Sequence, residues 1–528
     1  MALTKVTYSM IEGAQVNVLD FGADPTGVAD STAAIQAAFD AVTTPAAVYI
    51  PSGTYKLTSQ IAYINKTISI IGDGIGATTL LWDSAATSVG IKATISDVNL
   101  RFEVRHLTFL TQQAAVGTAL EIDMSGQLVP PPVGAFLGTI PNRAAPRGYI
   151  SDLEIRGQTS AATNGFDCGV YLKDVMKGYV SNVHVRGKYG ATQSDFESQY
   201  GIRLSSQGKA TEVVIDTCWI FHTNYGVHSR EFEGVMVTNC NMIGVYIGVD
   251  SETTDLLPQF DISNTHINAH RHCINFLRMR DCTITNNLLY HRSETATNGT
   301  AMQLNACANI VVANNNIRKS ANAFQMNGIV VQGNTNHSQF FGNTFINLDQ
   351  SAHLFQNTAT NNRIGNSVYN NTATRVTGNS LPNLRVDDNL TCYLSADQAI
   401  ADNTPTVLAW DQNFTGFAFW HSETVNNSRI TIPTGVVAVE FTCNVEWEAN
   451  ATGTRTIQLL RDGDINYVGL PKVRSSATSA GTVAQNFSTG VLPVTAGEYY
   501  EVRVTHTGGA PLNVLGNEQT WFSVKFIR

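Results

Sequence analysis

The chain has 528 residues, of which 43% are apolar and only 14% are charged. This balance excludes an intrinsically disordered chain. The length is too great for a single ordinary domain, so we expect at least two domains unless a repeat extends one core. The formal net charge of −9 excludes a dominant basic surface, so nucleic acid is not an expected partner.

The opening segment and the cysteines further narrow the class of protein that the sequence can encode. The sequence has no run of about 18 apolar residues, and the start MALTKVTYSMIEGA lacks the cationic and apolar regions of a signal peptide. The eight cysteines form no CxxC pair and no zinc-spaced cluster with histidine. We therefore predict a protein made in the cytoplasm with free, buried thiols and without metal ion, cofactor or membrane insertion.

A short helix is predicted near the N-terminus, after a leader of residues 1–19. Residues 20–41 read DFGADPTGVADSTAAIQAAFDA, in which Asp30 or Ser31 can cap a helix. We expect this helix to cover the open first coil of the repeat that follows, because a solenoid needs a cap. The predicted buried face of the helix consists of Ile35, Ala38 and Phe39.

The middle of the chain repeats with a period of 22 to 28 residues, apart from one longer turn near 187–200. Two series of short strands share this period, and a repeat of strands and turns alone predicts a right-handed parallel β-helix. Equivalent residues of successive coils then stack on one another. The predicted apolar column is Val185, Ile220, Met242, Ile267, Leu289, Ile317 and Phe345, and the predicted asparagine ladder is Asn287, Asn315 and Asn343.

Outward positions of the first strand series form further columns, and their members lie about 4.8 Å apart in neighbouring coils. Because the chain is poor in charge, the concentration of charges in these columns predicts a functional groove. One column is Tyr171, Arg203, His228, Asp250, Asn275 and Gln303. The next is Lys173, Ser205, Arg230, Glu252, Leu277 and Asn305.

Two carboxylates of these columns suit glycosidic bond hydrolysis. Asp250 and Glu252 are i and i+2 on one strand, hence on one face and about 6.5–7 Å apart along it. Inverting glycosidases hold their acid and base about 6.5–9.5 Å apart. We predict this pair as catalytic, with Glu231 as a further candidate. The predicted substrate-binding residues are Arg203, His228, Arg230, Trp219, Tyr246 and Arg271.

Lyase chemistry is the alternative that the same columns allow. β-Elimination at a uronic acid needs a cation for the carboxylate and a base such as Tyr, His or Lys. Arg203, Arg230 and Arg271, with His228 or Tyr246, supply both. The sequence lacks the clustered aspartates that a calcium-dependent pectate lyase requires.

The repeat stops at a predicted linker of residues 381–389, and residues 390–528 have another pattern. Alternating strands such as VVAVEFTCNVEWEA and EYYEVRVTHTG are separated by turns such as RDGD and TAGE. This pattern predicts an antiparallel β-sandwich or jelly roll. Its tryptophans, among them Trp410 and Trp447, are expected in the core or an interface rather than as sugar-stacking platforms.

Residues 20–80 resemble the entry segment of the pectate-lyase-like right-handed β-helix superfamily, in the form common in bacteriophage tailspikes and polysaccharide depolymerases. Alginate epimerases open similarly, but their Asp-Pro-His motif and calcium-binding nonapeptides are absent from this sequence. Residues 390–528 resemble the complement/tumour-necrosis-factor-like jelly roll, which implies a trimerisation or carbohydrate-binding domain and a homotrimer.

The sequence and these resemblances together predict a phage tailspike with an endo-acting glycoside hydrolase in its β-helix, residues 20–380. Its expected substrate is a bacterial surface polysaccharide: capsule, exopolysaccharide or O-antigen. The leader is expected to attach the protein to the phage tail or another tail protein, so that the virion carries it to the host cell surface. The alternatives are a polysaccharide lyase and a non-enzymatic receptor-binding adhesin.

Overall fold

A computed structural model describes the chain from residue 15 to residue 527, apart from internal gaps. The chain divides into two compact units, Met1–Ser380 and Leu381–Arg528. Within the described residues, no helix has both the length and the apolar character needed to cross a membrane. The residues outside the description are 1–14, 44, 85–88, 98, 114–115, 126–147, 160–162, 189–195, 208–210, 293–298, 321–324, 357–358, 360, 366, 371, 373, 379–384, 387–388, 414–420, 434–435, 478–480 and 528.

The first unit is a right-handed parallel β-helix, as predicted, and its coils contribute strands to three parallel sheets. The strands of sheet 1 are Ile61–Ile64, Val89–Thr94, Val116–Asp123, Phe166–Lys173, Tyr200–Ser205, Tyr225–Arg230, Gly299–Asn305, Met326–Gln332, Ser351–Phe355 and Thr374–Gly378. Those of sheet 2 are Thr26–Asp30, Gly53–Leu57, Thr78–Trp82, Trp219–Phe221, Leu288–His291, Asn316–Lys319, Thr344–Ile346 and Val368–Asn370. Those of sheet 3 are Val16–Asn17, Ala46–Ile50, Ile68–Gly72, Thr211–Asp216, Glu233–Thr238, Phe260–Ser263, Thr283–Thr285, Val311–Ala313, Gln339–Phe341 and Arg363–Ile364.

Five longer strands turn a corner and belong to two sheets. Sheets 3 and 2 share Phe102–Thr111, Gly148–Gly157 and Gly178–Arg186. Sheets 2 and 1 share Asn241–Pro258 and His266–Arg280.

The predicted apolar column is confirmed on the inner side of sheet 2. Successive members pair in register from Val185 to Phe345, and each is at most 3% exposed. Glycines that begin the sheet 1 strands make room for the column. A Cβ atom on Gly248 would lie 2.2 Å from Cγ2 of Ile267, and one on Gly201 would lie 2.5 Å from Ile220. The repeated glycines therefore allow the column to pack tightly.

The asparagine ladder is confirmed as well. Asn287 Nδ2 donates to Asn315 Oδ1 at 3.0 Å, and Asn315 Nδ2 donates to Asn343 Oδ1 at the same distance. The backbone N–H groups of Asn287 and Asn315 donate to the same carbonyl oxygens. Since unpaired buried polar groups cost free energy, the ladder stabilises the turn along three coils.

All eight cysteines are free and buried, as predicted. In the earlier coils, cysteine sulfur accepts hydrogen bonds from the turn backbone: Cys218 N–H donates to Cys240 Sγ at 3.4 Å. Burial raises the pKa of the Cys273 thiol to about 12, so this thiol stays protonated at neutral pH. The cysteines are structural here.

The predicted N-terminal helix spans Thr32–Ala41 and follows a short 3-10 helix, Val18–Phe21. Asp30 Oδ1 accepts the Thr32 N–H at 2.9 Å and so caps the helix. Gln36 exchanges two hydrogen bonds with the backbone of Ala62, which fixes the helix on the first coil. Its predicted face is confirmed: Ile35, Ala38 and Phe39 are at most 1% exposed.

The second unit consists mainly of two antiparallel sheets, in agreement with the predicted sandwich. Trp410 and Trp447 are fully buried in it, which confirms their expected core role. The eight-stranded sheet contains Asn389–Tyr393, Gln398–Ile400, Gln412–Asn413, Ala438–Trp447, Val483–Ser488, Leu492–Pro493, Leu512–Val514 and Trp521–Ile527. The five-stranded sheet contains Thr406–Val407, Arg429–Thr431, Thr454–Arg461, Lys472–Ser476 and Tyr499–His506. The short strand Arg385–Val386 precedes both.

Candidate functional site

The two outward columns predicted on sheet 1 are present in the structure. Each member pairs in register with the next, from Tyr171 to Gln303 in the first column and from Lys173 to Asn305 in the second. Inner neighbours on the same strands, such as Val227 and Val249, are fully buried. The columns therefore face away from the core, because side chains alternate along a strand.

Asp250 is the acidic group of the first column as predicted, and both of its carboxylate oxygens have partners. His228 Nδ1 lies 2.9 Å from Asp250 Oδ2, and Asn275 Nδ2 donates to Asp250 Oδ1 at 2.7 Å. The two partners are the register neighbours of Asp250 in the coils on either side. The Asp250 side chain is 9% exposed, so the carboxylate is nearly buried and fixed at both oxygens.

Glu252 and Glu231 differ from Asp250 in their surroundings. The Glu252 side chain is exposed and lines, with Asp250, a depression of about 280 Å³. Glu231 lines a second depression of about 560 Å³ with Arg203 and Arg230, and its carboxylate accepts the Thr254 N–H at 2.7 Å. Arg230 and Glu252 pair in register, so the two depressions adjoin on one face.

Tyrosine rings fix Arg203 in the first column. The guanidinium carbon lies 4.6 Å from the ring centre of Tyr171 and 4.8 Å from that of Tyr200. Its buried Nε has no hydrogen-bond partner within the described part of the chain. Arg203 is therefore a cation held in place by cation–π contacts, with hydrogen-bonding capacity left over.

Tyr200 and Tyr225 also flank the imidazole of His228. Their ring centres lie 5.2 Å and 5.0 Å from that of His228, and the two tyrosines stack at 5.4 Å. Burial, with a smaller contribution from Asp250, raises the pKa of Tyr225. Burial, reinforced by Arg271, lowers the pKa of His272 to about 4, so this lining imidazole is neutral at pH 7.

Neither Tyr200 nor Tyr225 is among the residues predicted from the sequence. They lie one position before Gly201 and Gly226, whereas the two predicted columns lie two and four positions after these glycines. The signal was the dipeptide Tyr-Gly, which occurs at both Tyr200 and Tyr225. Register pairing places one tyrosine directly above the other.

The first column also starts earlier in the chain than the sequence predicts. Glu121 pairs in register with both Lys92 and Tyr171, so the first column begins at least two coils earlier than predicted. Glu121 is 4% exposed, and Oε1 lies 3.0 Å from Lys92 Nζ and 2.8 Å from Lys173 Nζ. Two ammonium groups thus compensate this carboxylate, and it is a structural part of the face.

The remaining predicted binding residues lie outside this arrangement or at its edge. Trp219 is 42% exposed but belongs to sheet 2, where its ring lies 5.9 Å from His184; it lines neither depression. Tyr246 lies at the corner before sheet 1, with the Arg271 guanidinium 5.8 Å from its ring centre. Arg271 also lines the smaller depression.

A metal site is not evident at this face. Across the described residues, no group of three or more His, Cys, Asp or Glu side chains is arranged to hold a metal ion. The polar groups of this face include carboxylates, imidazoles, phenols and guanidinium groups.

Comparison with known proteins finds a family model that matches the first part of the chain and solved structures with a similar fold. The model described as rhamnogalacturonase A/epimerase, pectate lyase-like, matches residues 15–250. The mannuronan C5-epimerase AlgE2 of Azotobacter vinelandii is 34% identical over 104 residues, which cover 17% of this chain and 10% of that protein. The chain thus matches about a tenth of the length of this curated relative.

Two solved structures extend the comparison. The A-module of mannuronan C-5 epimerase AlgE4 from Azotobacter vinelandii has a TM-score of 0.50 and 16% identity, covering 70% of this chain and 99% of that one. The Dettilon tailspike protein has a TM-score of 0.44 and 12% identity, covering 97% and 94% of the two chains. The first of these likenesses shows that the β-helix fold is shared.

Proposed function

We propose that this chain binds a bacterial surface polysaccharide along the outward columns of sheet 1 and hydrolyses its glycosidic bonds. The observation that carries the proposal is the position of Asp250 and Glu252, two carboxylates on one face of one strand that line a single depression. The family model that matches residues 15–250 is described as rhamnogalacturonase A/epimerase, pectate lyase-like, and these names support a polysaccharide substrate.

In the proposed mechanism, Asp250 is the general base and Glu252 is the general acid. His228 and Asn275 donate to Asp250, and these two hydrogen bonds fix the position of the carboxylate. Each Asp250 oxygen retains an acceptor site for a water molecule. Asp250 takes a proton from this water as its oxygen attacks the anomeric carbon, and Glu252 gives its proton to the departing glycosidic oxygen.

The spacing of the pair predicts the stereochemistry. Residues i and i+2 of a strand lie about 6.5–7 Å apart, and inverting glycosidases need about 6.5–9.5 Å so that water fits between carboxylate and sugar. Hydrolysis with inversion at the anomeric carbon is the expected outcome.

The expected charge of the substrate is inferred from the surroundings of Arg203 and Arg230. Both line the larger depression, and neither forms an ion pair in the described part of the chain. Because Arg203 is fixed between two tyrosine rings, little side-chain entropy is lost when it meets an anion. We therefore propose an acidic polysaccharide.

Replacing Arg203 with alanine is expected to raise KM about tenfold or more and to change kcat little. The substitution removes a positioned cation, and a tenfold effect corresponds to about 1.4 kcal/mol. Initial rates with an acidic polysaccharide provide the measurement. Arg318→Ala is the matched control, since Arg318 lies over the Tyr290 ring at 5.4 Å on sheet 2. Equal effects of the two substitutions would argue against Arg203 as a binding residue.

Elimination is the second candidate, because His228 and Asp250 also form a dyad. Asp250 can orient the His228 imidazole through Nδ1 and leave Nε2 as a base. Such a base would remove the proton next to a uronate carboxylate that Arg203 neutralises. The bond to the leaving glycosidic oxygen then breaks, a carbon–carbon double bond forms, and the oxygen takes up a proton.

The proposal extends to assembly and location. We propose a homotrimer held together by residues 390–528 and attached to a phage tail through residues 1–19, so that the virion carries the enzyme to the host surface. The two antiparallel sheets of the second unit support this reading. Sedimentation should give about three times 57.1 kDa, whereas a stable single copy would exclude the trimer.

A further inference from the structure

The second unit carries a cluster of cations on the outer face of its five-stranded sheet. Lys472, Arg474 and Arg503 line a depression of about 250 Å³. Lys472 and Arg474 are exposed and Arg503 is half-buried. We name this surface the cationic face. The other side chains that line the depression are Thr454, Thr456, Gln458, Thr505, His506 and Thr507.

Strand register sets the spacing of the three cations. Lys472 pairs with Gln458, and Gln458 pairs with Arg503, so the two cations lie two strands apart, about 10 Å. Arg474 is two residues from Lys472 on the edge strand, about 6.5–7 Å along it. The cations thus form a triangle around the neutral side chains of the central strand.

The charge of the cationic face is not balanced by carboxylates of the described residues. In the described residues of this unit, none of the three forms an ion pair, and Arg503 donates to the neutral Gln458 Oε1 at 2.7 Å. Glu501, on the same strand face as Arg503, is 7% exposed and bonded to Ser428 and Arg429. Three like charges with no counter-charge repel one another, and a bound anion relieves this repulsion.

The polar lining indicates the kind of anion. Four threonines, Thr454, Thr456, Thr505 and Thr507, line the depression between the cations. Their hydroxyl groups both donate and accept hydrogen bonds, which complements sugar hydroxyls as well as acidic groups. No Phe, Tyr or Trp side chain of the described residues lines the depression, and the His506 ring is fully buried, so stacking of nucleotide bases is not supported.

We propose that the cationic face is a binding site for acidic polysaccharide, separate from the columns of sheet 1 and independent of any catalysis there. Carboxylate or sulfate groups of the polymer contact Lys472, Arg474 and Arg503, and the threonines contact its hydroxyls. A nucleic acid is disfavoured by the net charge of −9. A second copy of this face is disfavoured because a symmetric contact would oppose like charges.

The test uses the full chain and the double substitution Lys472→Gln with Arg474→Gln. The probes are alginate oligomers, chondroitin sulfate, neutral dextran and a DNA duplex. We expect alginate or chondroitin sulfate, but not dextran, to slow hydrogen–deuterium exchange in Thr454–Arg461, Lys472–Ser476 and Tyr499–His506. The double substitution is expected to abolish this protection and to weaken the local affinity at least tenfold.

Lys525→Gln is the matched control, because it removes an exposed cation of the other sheet, where Lys525 pairs with Glu440 at 3.2 Å. It should leave the protection unchanged, and an unchanged thermal transition in all variants shows that they are folded. The proposal is overturned if acidic glycans give no protection, if the control abolishes it equally, or if DNA protects these strands as strongly. Exchange at these strands is read separately from sheet 1, so failure of the hydrolase proposal leaves this result interpretable.

Discussion

Replacing Asp250 with asparagine is expected to lower kcat by about 10²–10⁴-fold and to leave substrate binding nearly unchanged. The amide keeps the size of the carboxylate but cannot act as a base, and a general acid or base contributes about that factor. The amide can keep both contacts of Asp250: its Oδ1 accepts from Asn275 Nδ2, and its Nδ2 donates to His228 Nδ1 when the imidazole carries its proton on Nε2. Turnover at saturating polysaccharide, with binding measured separately, provides the test.

Glu252→Gln is expected to lower kcat by a similar factor, because the proposed acid can no longer give its proton to the leaving oxygen. Asp261→Asn is the matched control: Asp261 lies in the same coil, on sheet 3, and its carboxylate accepts the Thr283 N–H at 3.0 Å. Activity at the native level in both groove variants would reject the pair and make Glu231 the next candidate. Loss only in Asp250→Asn and His228 variants would instead favour elimination.

Replacing Ile267 with aspartate is expected to abolish recovery of folded protein. Ile267 is fully buried between Met242 and Leu289 of the apolar column and against Gly248. A carboxylate there has no partner in the column, and burying an unpaired charge costs several kcal/mol, a large part of the stability of a typical domain.

The control for this prediction uses the same change at an exposed site. Ile64 is 67% exposed on a sheet 1 strand, so Ile64→Asp should yield folded protein with nearly native stability. Ile267→Ala should still fold and lose about 2–5 kcal/mol in unfolding free energy, as measured with denaturant. A native unfolding midpoint for Ile267→Ala would contradict the packing described for the column.

The register of the columns was predictable from sequence because the coils are regular. From Arg203 to Gln303 the strands begin every 22 to 28 residues, and one position of error would have turned every side chain inward. The buried ladder of Asn287, Asn315 and Asn343 follows from the same regularity. Side-chain identity and an approximate period suffice where the coil lengths vary little.

The candidate site was less predictable, since its contacts depend on where long side chains point. Side chains alternate along a strand, so Tyr225, three residues before His228, is expected on the opposite side of the strand. The rings of Tyr225 and of its neighbour Tyr200 nevertheless lie beside the His228 imidazole. Trp219 was expected with the groove and lies on sheet 2. Glu121 escaped prediction because the early coils differ in length from the later ones.

The most direct test of the central proposal is the mass of the products that the purified chain releases from an acidic bacterial polysaccharide. Hydrolysis adds one water to each broken bond, so we predict fragments whose mass equals whole repeat units plus one water, and no such fragments from Asp250→Asn. Unsaturated fragments without added water would assign the chain to the lyases. An unchanged polymer that stays bound to the protein would contradict an enzymatic role.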